Sequence, residues 1–441
     1  MQKILLFIAS LFYFNSLFAK DEIKSWQGIH ETPLSRLEQQ FADPPVEFAN
    51  HVIWGWEGKM DKKTICNDLD SIKKKGFRAI IFEAGYKRPF KYLSEEWFKA
   101  IRTGVLEAKK RGMKVWIIDE GKYPSGFAGG KFSQERPDLR MQALVIGDTI
   151  QIKRGEVMTN HKIAPEIISA VAVSTSGAPN RTVEINNGKI SFNAGLDDWK
   201  ILLVKSDFRT AVTRAVNNPN GGKDATNSLC DYLNPVAVQQ FIDWTHKQYK
   251  KYLGKELGTT VLGFRGDEPD YAHLPWTPSI VQTFKDTKGY DPTPYLASFF
   301  TASPTIQEQR VKADYWDVWS SLFATHFFKL QADWCAANGV AHITHLNKEH
   351  EMPACVKAEG DYFRALSKVQ IPGVDAIWNQ IWPSTLNDFP KLASSVAHVY
   401  GKPRAFSESF AAYHISPTIP QAKFVVDHQI ARGINFFEFM F

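Results

Sequence analysis

Residues 77–118 read FRAIIFEAGYKRPFKYLSEEWFKAIRTGVLEAKKRGMKVWII and contain one complete strand–helix–strand unit. The two ends, Phe77–Phe82 and Lys114–Ile118, are short apolar runs bounded by polar residues or glycine, which is typical of buried strands. Between them, Ser94 is a good N-cap and Gly112 a good stop signal for a helix. Because two parallel strands need a crossover of this kind, the stretch predicts a parallel sheet covered by helices.

The alternation of strand and helix continues on both sides of this unit. A strand is predicted at His51–Trp56, and a helix follows it from Asp61 to Lys75, with Gly76 as its stop. Five further strands are predicted, beginning at Val261 and at Ala341–His345, Val374–Trp378, Arg404–Phe406 and Ile434–Glu438. Eight strands separated by helices predict the α/β class, in the form of a (β/α)8 TIM barrel.

The alternation of strand and helix is interrupted between the third and the fourth strand. From residue 143 to residue 228 the apolar runs are short and alternating, as in Ile168–Val173, and turn signals such as Asn187-Gly188 separate them. We interpret residues 143–228 as a small β-rich insertion, with residues 20–142 and 229–441 forming the two parts of the barrel. Since the sequence stops directly after the eighth strand, we expect the eighth helix and any C-terminal β-domains to be absent from this chain.

The first 19 residues have the pattern of a secretory signal peptide. Lys3 supplies a positive charge, Ile4–Phe18 is largely apolar, and Ala19 is a small residue at a suitable cleavage point. The apolar run is shorter than the ~20 residues that a membrane-spanning helix needs. We therefore expect a periplasmic or secreted protein that has no membrane attachment after cleavage.

The composition favours a carbohydrate partner over a nucleic acid. The net charge of +6 is spread over the chain, without a basic stripe that interleaves with aromatic residues. The 13 Trp and 14 Tyr residues provide aromatic faces on which the C–H faces of sugar rings can stack, although most aromatic residues serve core packing. None of the four cysteines has zinc-ligand spacing, and a bridge between Cys335 and Cys355 stays open.

Two carboxylates stand at strand ends. Glu268 lies in Val261–Pro269, which reads VLGFRGDEP, and Glu408 lies in Pro403–Ser409, which reads PRAFSES. The C-terminal ends of barrel strands open into one cleft. Two carboxyl groups that meet there can cleave a glycosidic bond, one as general acid and the other as base or nucleophile. The neighbouring Asp267 could be the acid instead.

The same positions also have structural interpretations. The Asp-Glu-Pro sequence at Glu268 is compatible with a solvated surface turn. Glu408 could be a strand-end acid that forms a salt bridge with Arg404 or Arg432. Each acid alone favours the catalytic interpretation only slightly, and the two together, at the ends of the fourth and seventh strands, favour it more.

Other polar and aromatic residues near predicted strand ends are candidates for substrate binding. They are Trp54, Trp56, Glu83, Asp119, Glu120, Tyr123, Asp267, His342, His345, Asn347, Glu349, Asn379, Gln380 and Glu438. The tryptophans could equally be core residues, and of the two histidines the one that faces the barrel interior is the better candidate. A metal site stays open as well, since His342 and His345 lie near Glu349 and Glu351, but the His-Glu-x-x-His pattern is absent.

Several of these motifs resemble glycoside hydrolase family 106, the alpha-L-rhamnosidase-like barrels. The opening Trp54-Gly-Trp56, followed by Asp68-Leu69 and Gly76, resembles the start of those barrels. Four later motifs resemble related bacterial sequences: Asp119–Gly130, Gly266–Pro269, Ile371–Asp375 and Ser407–Phe410. The similarity covers most of the chain from about Phe48 onward.

The resemblance implies a secreted enzyme that acts on the side chains of plant or microbial polysaccharides. It implies inversion at the anomeric carbon, with Glu268 as the acid and Glu408 as the base, and it leaves room for Ca²⁺ near the sugar. Two other classes of function stay open: a carbohydrate-binding barrel without catalysis, and a metal-dependent lyase or isomerase.

Overall fold

The computed structural model describes most of the chain. The described residues are 33–85, 87–121, 123–210, 213–214, 223–224, 228–269, 271, 274–385, 387–413 and 417–440. The predicted signal peptide, residues 1–19, lies outside them. Within the described residues, no helix combines the length and the apolar composition needed to cross a bilayer.

Eight parallel strands form a closed barrel. In chain order they are β1 His51–Trp56, β2 Ala79–Ala84, β3 Lys114–Ile118, β4 Val261–Gly266, β5 Ala341–Thr344, β6 Ile371–Ala376, β7 Phe406–Ser409 and β8 Phe436–Phe439. Each strand pairs with its neighbours in this order, and β8 closes the barrel against β1. The predicted (β/α)8 barrel is therefore confirmed.

Helices cover the outside of the barrel. They are Leu34–Ala42, Lys62–Lys74, Glu95–Lys110, Lys131–Glu135, Pro235–Trp244, His246–Leu253, Ile280–Lys288, Ile306–Leu322, Lys329–Ala337, Met352–Glu359, Tyr362–Leu366, Pro390–Val399 and Ile419–Ile430. Ser94 caps its helix as expected, because its hydroxyl accepts a hydrogen bond from the backbone of Trp97 at 3.2 Å. A π-helical turn, Phe323–Phe328, joins two of the helices.

The strands that carry the acids are shifted from their predicted bounds. β7 begins at Phe406 and contains Glu408, which therefore does not follow the strand. In the barrel register, Glu408 stands beside Asp375 of β6 and Glu438 of β8. Register partners on adjacent strands point to the same face, so the three carboxyl groups form one row. The strands were predicted from their apolar runs, and the polar residues at the strand ends therefore fell outside the predicted bounds.

An antiparallel sheet follows β3. Its main strands are Gln142–Ile152, Trp199–Phe208 and Ile167–Ser174, and Pro275–Trp276 from the segment after β4 adds one edge. A smaller sheet is built on Val157–Lys162 and Lys189–Asn193. The expected β-rich insertion after the third strand is therefore present.

Two apolar layers enclose the barrel wall. Inside the barrel, Trp116, Phe406 and Phe436 are among the residues that fill the space below the polar row. Outside, helix residues such as Trp97 and Ile101 pack against the outward faces of the strands. All four cysteines are free thiols, so the Cys335–Cys355 bridge is not formed.

Candidate active site

Arg265 lies at the centre of the polar row. It is fully buried on β4, and its guanidinium contacts Glu408 through Nη2, Glu438 through Nε at 3.2 Å and Asp267 through Nη1 at 2.8 Å. The contact with Asp267 is an ion pair that lacks the alignment of a hydrogen bond. One cation thus compensates carboxylates that come from three places in the chain, which its forked, permanently charged side chain is suited to do.

His345 connects this row to the rest of the cluster. Its Nε2 lies 2.9 Å from Arg265 Nη2 and 3.4 Å from oxygens of both Asp267 and Glu408. Its Nδ1 donates to the carbonyl of Leu346 at 2.9 Å. Burial and the charge of Arg265 lower the pKa of His345, but contacts with carboxylates, including Asp267 and Glu408, outweigh them and raise it well above its usual value.

Glu268 is the half-buried acid of the cluster. Its side chain makes a hydrogen bond with Asp375, and single atoms of Glu268, Asp375 and His345 lie within 4.8 Å of one another. Burial raises the pKa of Glu268 to about 7, and the charge of Asp267 adds to the increase. A carboxyl group with this pKa carries a proton for much of the time at neutral pH, as a general acid must.

Asp375 is the buried partner of Glu268. Burial and the charge of Glu349 raise the pKa of Asp375 well above its usual value. The hydrogen bond between the two side chains lowers the pKa of Glu268, so Asp375 acts as the donor.

A loop after β3 positions the backbone at Asp267. The hydroxyl of Ser125 accepts a hydrogen bond from the backbone N–H of Asp267 at 2.7 Å and donates to Asp119 Oδ1 at 2.6 Å. The backbone N–H of Ser125 donates to the carbonyl of Asp267 at 2.8 Å. Asp119 is fully buried, and it therefore stands behind Asp267 in a structural role.

Glu120 organises the same loop. Its carboxylate accepts hydrogen bonds from the backbone N–H groups of Gly121 at 2.7 Å, Ala128 at 2.6 Å and Gly129 at 3.0 Å. Burial raises the pKa of Glu120 to about 7, against the lowering effect of these hydrogen bonds. The glycine-rich sequence is thus folded around a carboxylate of its own chain.

The structure does not bring Trp54, Trp56 and His342 to this cluster. Trp54 and Trp56 face the helices, where both rings contact Phe82. His342 is the register partner of Phe264, which also faces the helices, and burial lowers the pKa of His342 to about 4. The two histidines differ because side chains alternate along a strand, and 342 and 345 fall on opposite faces.

The remaining candidates lie around the mouth of the barrel. Glu83 and Gly55 are register partners on the inner face of the barrel. A Cβ atom placed on Gly55 would lie 3.3 Å from Glu83 Oε2. Asn347 and Tyr123 are half-buried in the loops after β5 and β3. Asn379 and Gln380 belong to the loop after β6, where the side chain of Gln380 binds His350 at 3.0 Å.

Sequence reasoning did not select Arg265 or Asp375 as site residues, whereas it did expect Glu349 and Glu438 to line the cleft. Both missed residues lie within strands, at positions that alternate with apolar residues, as in Phe264-Arg265-Gly266. A charged residue inside an otherwise apolar strand was the available signal, because such a residue must face a polar interior.

Two groups of residues have the proximity of metal ligands: Asp267, His345 and Glu408, and Glu268, His345 and Asp375. Both depend on His345. Its Nδ1 donates to a carbonyl, and its Nε2 either accepts from Arg265 or carries a proton toward the carboxylates, so no lone pair is left for a metal. Arg265 already compensates Asp267 and Glu408. These two groups therefore do not fit a resident metal ion that needs a histidine ligand.

A parallel barrel with acids gathered at the C-terminal ends of its strands is the architecture of many glycoside hydrolases. Comparison with known families agrees: the alpha-L-rhamnosidase family, glycoside hydrolase family 106, matches residues 156–440, more than half of the chain. The chain belongs to this family.

Individual relatives are distant and longer. A Formosa agariphila protein described as "Putative beta-glucuronidase" is 24% identical over 92% of this chain, which spans 38% of that protein. The solved structure of a rhamnosidase from Novosphingobium sp. PP1Y has a TM-score of 0.70 at 16% identity, over 93% of this chain and 56% of the other. At 16% identity, the similarity to this rhamnosidase structure establishes the fold alone.

Proposed function

We propose that this chain is the catalytic barrel of an exported glycosidase that hydrolyses an alpha-L-rhamnoside in an oligosaccharide or polysaccharide. Glu268 is the general acid and Glu408 is the general base. The observation that carries the proposal is the shared environment of the two acids, which both lie close to His345 but differ in their partners. Glu268 has a neutral neighbour in Asp375, whereas Glu408 has the guanidinium of Arg265.

The two environments suit the two roles. Glu268, with a pKa of about 7, transfers its proton to the leaving-group oxygen as the glycosidic bond breaks. Glu408 uses Oε2 for Arg265 and His345, and the contacts described for it leave Oε1 to take a proton from water. The oxygen of that water attacks the anomeric carbon from the opposite side, which inverts its configuration.

Electrostatics favour a neutral sugar over a uronic acid. Asp267, Glu408 and Glu438 share the single guanidinium of Arg265, so this row holds more carboxylates than guanidinium groups. A substrate carboxylate that approached this set of acids would be repelled. Rhamnose has a methyl group at the position where a uronic acid has its carboxylate.

The test uses Glu268→Gln and Glu408→Gln with aryl glycosides of different leaving-group acidity. Against 4-nitrophenyl alpha-L-rhamnoside we expect both variants to lose on the order of 10²–10⁴-fold in kcat. With a 2,4-dinitrophenyl leaving group, which needs no proton, the Glu268→Gln variant should recover most of its activity and Glu408→Gln should not. Glu95→Gln, an exposed position at the start of the helix Glu95–Lys110, is the matched control.

The stereochemistry of the product distinguishes a base from a nucleophile at Glu408. The first-formed anomer, observed by NMR, should be inverted, whereas retention would make Glu408 a nucleophile. Sugar binding without turnover on any glycoside of the panel, an aryl β-glucuronide included, would instead make this chain a binding barrel.

Export is proposed from the first 19 residues. We expect the mature protein to begin near Lys20 and to occur in the periplasmic or extracellular fraction. N-terminal sequencing of the protein made with its own leader tests this, and an intact Met1 on the accumulated protein would oppose it.

A further inference from the structure

Trp378 is an exposed tryptophan at the mouth of the barrel. Its side chain is 56% exposed, in a protein where most large aromatic residues are buried. It follows Asp375 by three residues, which limits its backbone to within about 11 Å of the acid cluster. A single exposed apolar residue needs no explanation by itself, so the construction of its loop decides whether it has a role.

The loop after β6 holds an uncommon backbone conformation. Trp378 and Asn379 have φ angles of 55° and 57°, in the left-handed region that residues other than glycine rarely adopt. Two consecutive residues of this kind, neither of them glycine, indicate that the side chains matter at these positions. Such strain occurs preferentially at ligand-binding sites, where the surrounding structure maintains it.

Hydrogen bonds fix this loop from both sides. The backbone N–H of Trp378 donates to the carbonyl of Ala411, in the loop that follows Glu408, at 3.1 Å. The side chain of Gln380 accepts from the backbone of Ile377 at 3.1 Å and contacts His350 at 3.0 Å. The indole is therefore presented by an ordered loop that is tied to the segment carrying Glu408.

The exposed indole suits a sugar, because the C–H face of a pyranose ring stacks on aromatic side chains. We propose that Trp378 forms a binding site for the sugar unit that leaves when the bond between rhamnose and the next sugar is cleaved. The sugar ring whose glycosidic bond is cleaved must lie against Glu268 and Glu408 at the strand ends. The leaving group then lies beside the rim of the barrel mouth. This inference rests on the proposed function, because it presumes that those two acids mark the cleaved bond.

The test compares substrates with and without a sugar as leaving group. Trp378→Ala should lower kcat/KM for alpha-L-rhamnosyl disaccharides by 10- to 100-fold and change that for methyl alpha-L-rhamnoside by less than about twofold. Trp378→Phe, which keeps an aromatic face, should retain most of the disaccharide activity. Tyr400→Ala is the control, since Tyr400 is 50% exposed and follows Pro390–Val399 at the opposite end of the barrel.

Equal losses on both substrates would show a merely structural role and would overturn the inference, as would no loss on either. Binding of the same disaccharides, measured by calorimetry with the wild type and the Glu268→Gln variant, separates this inference from the proposed function. Binding that Trp378→Ala weakens and Tyr400→Ala does not supports the site even if no glycoside is hydrolysed. Binding that is unaffected by Trp378→Ala overturns the site even if hydrolysis is found.

Discussion

Arg265 and Glu408 form a buried ion pair that crosses the barrel interior from β4 to β7. The strands that carry them are not adjacent, so the pair is a contact between side chains that only barrel closure creates. Asp267 and Glu438 contact the same guanidinium. The three carboxylates thus depend on one charge, which makes Arg265 the most informative position to change.

We expect Arg265→Met to be strongly destabilising. Removing the cation leaves carboxylates buried without compensation, which typically costs about 3–5 kcal/mol. Arg265→Lys should be more stable but still poorly active, because a single ammonium group cannot reach three carboxylates as the fork does. Chemical denaturation and kcat/KM measure the two effects, and a fully active Arg265→Lys variant would show that the fork is unimportant.

A second prediction concerns the hydrogen bond between Asp375 and Glu268. Activity should fall above about pH 7, where Glu268 loses its proton. The hydrogen bond from Asp375 stabilises the ionised form of Glu268, so losing it in Asp375→Ala should move this basic limb to higher pH. Asp375→Asn keeps an N–H donor and should leave the limb near its wild-type position.

Other charged groups that face this pair also act on the pKa values of Glu268 and Asp375. Asp267, His345 and Glu408 act on Glu268, and Glu349 acts on Asp375. The pH dependence of kcat/KM, measured with one substrate for all variants, is the appropriate observable. An Asp375→Ala profile that coincides with the wild type would contradict the assigned donor.

The carboxylate of Glu120 provides a third prediction. In Glu120→Gln one oxygen becomes an NH2 group, which faces a backbone N–H instead of accepting from it. We expect a loss of about 1–3 kcal/mol from the unsatisfied donor. Since the loop also positions Ser125 against Asp267, kcat should fall as well. Thermal unfolding and kinetics test this, with Glu135→Gln, an exposed acid after the loop, as the control.

A fourth prediction concerns stability in acid. The pKa of His342 in the folded protein is about 4, below the usual 6.5, because burial disfavours the charged ring. Between these pH values the unfolded chain binds a proton that the folded chain does not, so acidification lowers the free energy of unfolding. The slope from this one group is at most about 1.4 kcal/mol per pH unit.

The variant His342→Gln should lose that part of the pH dependence. Buried carboxyl groups with raised pKa values, such as Glu438, act in the opposite direction but are common to both proteins. The difference between wild type and variant, from denaturation at pH 7 and pH 4.5, isolates the histidine. Equal slopes for the two proteins would mean that His342 titrates normally.

The local sequence was sufficient to predict the barrel. Apolar runs such as Lys114–Ile118 and helix signals such as Ser94 act within a few residues, and they recur regularly enough to indicate eight strands separated by helices. The positions of Glu268 and Glu408 at the C-terminal side of the barrel follow from the same pattern, since that side is shared by all parallel strands.

The sequence by itself determined the order of strands and helices, because hydrophobic periodicity and capping are properties of neighbouring residues. Only the tertiary structure decided which side chains meet. Barrel closure sets the register that aligns Asp375, Glu408 and Glu438, and it brings Arg265 to them from β4. Such pairings depend on the face and height of each residue in a closed sheet, and a shift of one residue in register would reverse them.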